Sequence, residues 1–246
     1  LFALISNTAN FDHVRVVGKD SNTTYSELMY SESSAININQ CVIDYKATNT
    51  LISNRYGTIN ITDTTINSTH GIAAPIINID HSNITIVNTA LGSSGEINIK
   101  NESNITSTNA TVVSVSGSGK LNVIGENTII SNNVAGISLA DNATLNLGEL
   151  GGTPDTDTPY IEGTTYGIYN GSLTTTLNFY DGRIVGQTGP NAIYGVLNNV
   201  EAEFEPTTVL IIDPDTNIGK YNEYLVRSAN SVVVAKVGNY SFASVG

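Results

Sequence analysis

The hydrophobic positions of this chain recur in a short phrase, in which one asparagine stands between two apolar residues. Clear copies are Ile36-Asn37-Ile38, Ile59-Asn60-Ile61, Ile77-Asn78-Ile79, Ile97-Asn98-Ile99, Leu121-Asn122-Val123, Leu145-Asn146-Leu147 and Leu177-Asn178-Phe179. Successive copies start 23, 18, 20, 24, 24 and 32 residues apart. A period of this size is typical of a solenoid coil. We therefore predict a repeating architecture in which each coil carries one copy.

The residues between the copies form further short runs of alternating apolar and polar residues. In the coil that starts at Gly95, for example, the phrase is followed by Ser103-Asn104-Ile105-Thr106 and then by Thr111-Val112-Val113-Ser114-Val115. Alternation with a period of two predicts strands whose apolar residues point to one face. The coils therefore predict three columns of strands around an apolar interior, with the Asn of each phrase facing outward.

Two other architectures fit the pattern less well. A β-sandwich requires hairpin signals between long strands, and the only clear one, Asn170-Gly171, is isolated. A helical solenoid requires a sustained 3.6-residue apolar pattern, which the chain lacks. We predict an all-β fold, a right-handed parallel β-helix, with the handedness taken from the general rule for parallel crossovers.

The repeat divides the chain into three parts. Residues 1–35 are irregular and are predicted to be an N-terminal cap or a first incomplete coil, residues 36–199 the β-helix, and residues 200–246 a small β segment that closes the solenoid. The longest step, between Leu147 and Leu177, contains the Pro- and Gly-rich stretch 151–159, which predicts a projecting loop. Loops of this kind are where a solenoid often carries its function.

The asparagines of the phrase allow two interpretations. Stacked along the axis, they would form an amide ladder in which each hydrogen bond contributes about 0.5–1.5 kcal/mol net. Alternatively, an array of amides and hydroxyls could bind the hydroxyls of sugars. We favour the ladder as the principal role.

Composition and charge narrow the classes of partner. The net charge is −12 with only ten Lys and Arg residues, which disfavours nucleic acid and anionic membrane surfaces as partners. No apolar run is long enough to span a membrane, so no membrane insertion is expected. The single cysteine, Cys41, cannot form an internal disulfide. The chain starts inside an apolar segment, and we expect it to be a piece of a longer polypeptide.

Tyrosines are concentrated late in the repeat, at Tyr160, Tyr166, Tyr169, Tyr180 and Tyr194. Aromatic rings next to amides and carboxylates are typical of carbohydrate sites, because the apolar face of a sugar stacks on a ring while its hydroxyls bind polar groups. With Asp155 and Asp157 of the predicted loop, these tyrosines are our candidate ligand-binding residues. The alternative is that the rings stack on one another and only stiffen the coil.

The carboxylates offer two candidate Ca²⁺ positions. Asp155 and Asp157 alternate in the loop, and Asp213, Asp215 and Asn217 have the oxygen spacing of a calcium loop but lack its glycine. We favour solvated turns over Ca²⁺ binding at both positions, and the three histidines show no metal spacing. We predict no metal and no cofactor.

Residues 144–238 resemble the pectate-lyase-like β-helix modules of large cell-surface proteins from Gram-positive gut bacteria. The resemblance rests on Leu145-Asn146-Leu147-Gly148, Gly163-Thr164-Thr165-Tyr166-Gly167-Ile168-Tyr169-Asn170, Asn178-Phe179-Tyr180-Asp181-Gly182-Arg183-Ile184-Val185-Gly186-Gln187-Thr188-Gly189 and Val234-Ala235-Lys236-Val237-Gly238. It implies an exported, wall-associated, adhesive parent protein and transfers no catalytic residue.

Our functional hypothesis is a non-catalytic extracellular domain at the cell surface, which binds a host or microbial surface ligand such as a glycan. The first alternative is a polysaccharide lyase or glycoside hydrolase, although Arg15, Arg55, Arg183 and Arg227, the candidate bases, lie far apart in sequence and lack a carboxylate cluster. The second alternative is a structural stalk without a ligand.

Overall fold

The computed structural model describes residues 2–4, 8–18, 27–149, 158–188 and 192–194, together with strands at 208–214, 221–228, 235–237 and 240–242. For residues 2–4 and for the strands beyond residue 207, only the backbone is described. Every regular element in these residues is a β-strand. The predicted all-β class is confirmed.

The strands form three sheets, to which successive coils contribute one strand each. Sheet A contains, in spatial order, β1 (Phe2–Leu4), β4 (Met29–Ser31), β7 (Ile52–Asn54), β10 (Ile72–Ala73), β13 (Leu91–Ser93), β16 (Val113–Val115), β19 (Ala135–Leu139), β22 (Tyr166–Asn170) and β25 (Ile193–Tyr194). Sheet B contains β2 (Ala9–Asp12), β5 (Ile36–Asn39), β8 (Thr58–Thr62), β11 (Ile76–Asp80), β14 (Glu96–Lys100), β17 (Lys120–Ile124), β20 (Thr144–Leu147) and β23 (Thr176–Phe179).

Sheet C begins with β3 (Arg15–Val17), β6 (Val42–Tyr45), β9 (Thr65–Ser68), β12 (Asn83–Ile86), β15 (Asn104–Ser107), β18 (Thr128–Ser131), β21 (Tyr160–Gly163) and β24 (Gly182–Gly186). Up to β24 and β25 all neighbours in the three sheets are parallel. The parallel β-helix predicted from the phrase is therefore confirmed, while its right-handed sense stays a prediction.

The interior is a stack of aliphatic side chains. Ile59, Ile77 and Ile97 occupy equivalent positions on neighbouring strands of sheet B and are fully buried. The second apolar residue of each phrase stacks in the same way, as Ile79 does on Ile99. β-Branched side chains suit this pleated, one-sided packing. The two apolar residues of the phrase therefore face the interior, as predicted.

The chain passes from sheet B to sheet C through a sharp bend that needs a left-handed backbone. His13, Gln40, Asp63, His81 and Asn101 occupy this corner in successive coils, with φ between 45° and 54°. Asn, Asp and His, which occupy four of these five positions, adopt this conformation more readily than most residues. In two later coils the corner begins with a glycine, Gly125 or Gly148, also at positive φ. We call this bend the B–C corner.

Buried polar side chains complete the hydrogen bonding just after the B–C corner. The amide of Cys41 donates to Thr64 Oγ1 (3.1 Å), the amide of Thr64 to Ser82 Oγ (3.1 Å), the amide of Ser82 to Ser103 Oγ (3.2 Å) and the amide of Ser103 to Asn127 Oδ1 (2.9 Å). Buried backbone N–H groups require such partners. The side chains of one coil therefore bind the backbone of the coil before it.

The two ends of the chain join the same sheets. Residues 2–17 supply β1, β2 and β3, one strand to each sheet, and each pairs with the next coil. Sheet C continues past β24 through β27 (Tyr221–Ser228), β26 (Thr208–Pro214), β29 (Tyr240–Phe242) and β28 (Ala235–Val237). The pairing of β24 with β27 and of β27 with β26 is antiparallel. The predicted domain boundaries at residues 35 and 199 stay predictions.

Candidate functional site

The outward side chains of sheet A form a column whose middle is small and whose ends are aromatic. Their register places them in the order Tyr30, Ser53, Ala73, Gly92, Ser114, Ser138, Tyr169 and Tyr194. Side chains at equivalent positions of neighbouring parallel strands lie about 4.8 Å apart. We call this set the outer column of sheet A.

Three tyrosines meet at one end of the column. The ring centroids of Tyr169 and Tyr194 lie 4.8 Å apart with the planes inclined by only 3°. Tyr166 lies 5.0 Å from Tyr194 and 6.1 Å from Tyr169, in tilted arrangements. The side chains of Tyr169 and Tyr194 remain 38% and 43% exposed. This aromatic cluster is stacked, as the stiffening interpretation requires, and also offers ring surface to a ligand.

The other two candidate tyrosines lie on different sheets. Tyr160 belongs to β21 in sheet C, where its hydroxyl donates to Glu162 and the Arg183 guanidinium lies 5.8 Å from its ring centroid. Tyr180 follows β23 in sheet B and borders a depression of about 480 Å³ beside Asn146 and Asn178. Neither residue belongs to the aromatic cluster.

The acidic residues that we predicted to bind a ligand or Ca²⁺ lie outside the residues whose side chains are described. Asp155 and Asp157 are among residues 150–157, which are not described. Their described neighbours Glu149 and Thr158 lie between β20 and β21, on the path from sheet B to sheet C and not on sheet A. Asp213 is within β26, of which only the backbone is described, and Asp215 and Asn217 are not described.

Two adjoining depressions follow the outer column of sheet A. One has a volume of about 390 Å³ and is lined by residues that include Tyr30, Ser53 and Arg55. The other, of about 420 Å³, is bordered by His70 and Asn88. Both include Ala73 and Gly92 in their lining, so they meet over these two small residues of the column. We call the surface formed by the small residues of the column its floor.

One side of the second depression is formed by His70, whose two ring nitrogens both make hydrogen bonds. We call this side the wall. His70 Nδ1 lies 2.9 Å from the carbonyl oxygen of Ala47, to which it donates. The Asn88 amide donates to His70 Nε2 over 3.0 Å. These bonds hold the ring between three successive coils. His70 is therefore a rigid part of the wall.

Carboxylates surround the Tyr30 end of the column. The Tyr30 hydroxyl donates to Glu32, and this hydrogen bond raises the pKa of Tyr30 above its usual value of 10.0. The Ser53 hydroxyl donates to Glu27 over 2.9 Å. Arg55 stacks on the ring of Tyr56, with its guanidinium carbon 5.0 Å from the ring centroid. The floor of the column itself is uncharged.

The outward face of sheet B is organised differently. In each coil the Asn side-chain amide donates to the Asn Oδ1 of the coil before it, over 2.7–2.9 Å: Asn37 to Asn10, Asn60 to Asn37, Asn78 to Asn60, Asn98 to Asn78, Asn122 to Asn98, Asn146 to Asn122 and Asn178 to Asn146. We call this the Asn ladder. Its polar groups are largely used inside the protein, which confirms the structural interpretation of the phrase.

Candidate metal ligands do not cluster in the described residues. Within that part of the chain no three His, Cys, Asp or Glu side chains are grouped as metal ligands would be. Arg15 belongs to β3, Arg55 follows β7 and Arg183 belongs to β24, while the side chain of Arg227 is not described. The described residues also contain no helix of sufficient length and apolarity to cross a bilayer.

Sequence reasoning missed the small residues of the outer column and its far aromatic end. Ser53, Ala73 and Gly92 carry no motif, and they align only once the strand register is known. Tyr30 lies in the stretch that we predicted to be irregular. The first rung of the Asn ladder, Asn10, was missed for the same reason, although Ala9-Asn10-Phe11 is a weak copy of the phrase.

Comparisons with protein-family models, with curated proteins and with solved structures give no significant match.

Proposed function

We propose that this chain is a non-catalytic binding domain that recognises a glycan through the aromatic cluster of Tyr166, Tyr169 and Tyr194. The observation that carries the proposal is the partly exposed, near-parallel pair of Tyr169 and Tyr194 on a rigid strand face. Such rings provide a flat apolar surface for a sugar. The resemblance to cell-surface β-helix modules supports an extracellular setting, in which the ligand is a host or microbial surface glycan.

The surroundings of the cluster suit a sugar better than an apolar ligand. Ser138 lies directly beside Tyr169 in the same column and offers a hydroxyl. The strands below are fully buried on their inner side, with Ile137 and Ile168 at 0% exposure. A site on strands keeps its geometry more accurately than a site on loops. The cluster therefore combines stacking surface with hydrogen-bonding groups on a fixed scaffold.

Glycan-array screening followed by titration calorimetry tests the proposal. We expect Tyr169→Ala and Tyr194→Ala each to weaken binding by about threefold to tenfold, because each removes a flat apolar ring face on which the sugar would stack. Tyr180→Ala, on sheet B, is the matched control and should leave affinity unchanged. Absence of binding to every glycan, or equal binding by the three variants and the parent chain, would contradict the proposal.

A further inference from the structure

The outer column of sheet A continues well beyond the aromatic cluster. Five small residues, Ser53, Ala73, Gly92, Ser114 and Ser138, separate Tyr30 from Tyr169. Six inter-strand steps of about 4.8 Å make this distance roughly 29 Å. These five small side chains therefore form a long, shallow strip that runs along the solenoid axis from Tyr30 to Tyr169. We call this strip the track.

Packing within the fold does not explain why the residue near the centre of the track, Gly92, has no side chain. Two nearby glycines are required by close backbone, since a Cβ on Gly71 would lie 2.0 Å from the carbonyl oxygen of Ala90 and one on Gly95 would lie 2.1 Å from that of Pro75. At Gly92 no described atom lies within 4 Å of an added Cβ, and its φ is not in the left-handed region. A larger residue would fit there sterically. The absence of a side chain at Gly92 therefore leaves space above the track that backbone packing does not require.

Polar groups along the track are available to a ligand. In the part of the chain that the structure describes, the hydroxyls of Ser114 and Ser138 make no side-chain hydrogen bond. The corresponding positions of sheet B, Asn122 and Asn146, are bound to each other and to their neighbours. The track can therefore exchange hydrogen bonds with hydroxyls that lie on it, whereas the Asn ladder is largely saturated.

Charge disfavours an acidic occupant. The floor of the track carries no charged side chain, Glu27, Glu32 and the cation Arg55 stand near its Tyr30 end, and the whole chain has a net charge of −12. A polyanion would be repelled by this field and would find few cations to bind. A neutral polysaccharide, which is uncharged and rich in hydroxyls, would not be repelled.

We propose that the outer column of sheet A is a continuous subsite for an extended, neutral polysaccharide that lies along the solenoid axis, from the aromatic cluster past Gly92 towards Tyr30. This inference rests on the proposed function, because the aromatic cluster is one end of the same site. It adds the ligand class and the prediction that affinity increases with chain length.

Calorimetry with neutral β-1,4-linked glucan, xylan and mannan oligosaccharides of two to eight units tests the inference, with oligogalacturonates as the acidic comparison. For the sugar that binds, we expect at least a tenfold gain in affinity from the disaccharide to the hexasaccharide. Gly92→Leu should abolish this gain and leave the affinity of the disaccharide unchanged. Thr85→Leu, on the exposed face of sheet C, is the matched control and should preserve the gain.

The outcomes separate the two proposals. Binding that is equally tight for short and long oligosaccharides, or a Gly92→Leu variant that binds the hexasaccharide as well as the parent chain, overturns the extended subsite and leaves the cluster in place. A preference for oligogalacturonates or for extended peptides overturns the neutral polysaccharide. Failure of all these oligosaccharides at every length overturns the extended subsite for a neutral polysaccharide, whereas the proposed function fails only if the glycan array also shows no binding that depends on Tyr169 and Tyr194.

Discussion

The outward faces of sheets A and B are made by the same backbone in the same coils, yet they differ in how their polar groups are used. On sheet B one residue type recurs in every coil, and each amide bonds to the next over 2.7–2.9 Å. On sheet A the residue type changes from coil to coil, and Tyr169 and Tyr194 expose their rings at one end.

This difference separates stability from recognition. Strict repetition of an Asn allows hydrogen bonds between coils, and hydrogen-bonding capacity that is used internally is lost to a ligand. A varied column forms few internal bonds and can therefore present a specific set of groups. We expect substitutions on sheet B to affect mainly unfolding and substitutions on sheet A to affect mainly binding.

The largest effect should come from the interior that both faces share. Ile97→Asp places a carboxylate at a fully buried position with no charged partner, which we expect to cost more than about 4 kcal/mol or to prevent folding. Thermal melting followed by circular dichroism measures it. Thr85→Asp, at an exposed position of sheet C whose neighbours Asn67 and Thr106 are uncharged, is the control and should change the free energy of unfolding by about 0.5 kcal/mol or less. An unchanged melting transition for Ile97→Asp would refute the assigned interior.

An intermediate effect should distinguish the two faces directly. Asn122 donates to Asn98 and Glu96 and accepts from Asn146, so Asn122→Ala leaves several groups without a partner and should destabilise the fold by about 1–3 kcal/mol. Ser114→Ala on sheet A should change stability by less than about 0.5 kcal/mol. Urea unfolding of both variants measures the contrast. Equal destabilisation by the two would remove the distinction between the faces.

The smallest effect should arise at the B–C corner, away from both columns. His81 Nδ1 lies 2.5 Å from Asp63 Oδ1, and this hydrogen bond raises the pKa of His81 above its usual 6.5. Because protonated His81 is favoured by folding, its contribution is fully present below pH 6.5 and is lost as the pH rises through the raised pKa. Glu102 and Asp80 act in the same direction.

Melting temperatures between pH 5 and 9 test this contribution. The parent chain should lose a small increment of stability above pH 6.5, and His81→Gln should lack that increment. The effect should shrink in high salt, because the groups are exposed. A variant whose profile matches that of the parent chain at low salt would show that the pair contributes nothing to folding.

The sequence predicts the coils well because their signal is local. A phrase such as Ile77-Asn78-Ile79 specifies both the inward residues and the ladder residue, since a strand alternates with a period of two. The site was only partly predictable. Tyr166, Tyr169 and Tyr194 were identified by type, but their proximity depends on the register between β22 and β25, and the separation of Tyr160 and Tyr180 depends on which sheet each strand joins. Such long-range pairing has no local signal.

The Asn ladder also determines how the chain tolerates changes in length. Consecutive rungs are separated by as few as 18 and as many as 32 residues, yet their hydrogen bonds remain within 2.7–2.9 Å. The register between neighbouring strands of sheet B therefore depends on the pairing of the Asn side chains and not on the number of residues between them. We therefore expect the fold to tolerate insertions between strands, and we expect a coil that is duplicated or excised at equivalent rungs to keep the ladder in register. Each such event would lengthen or shorten the outer column of sheet A by one strand.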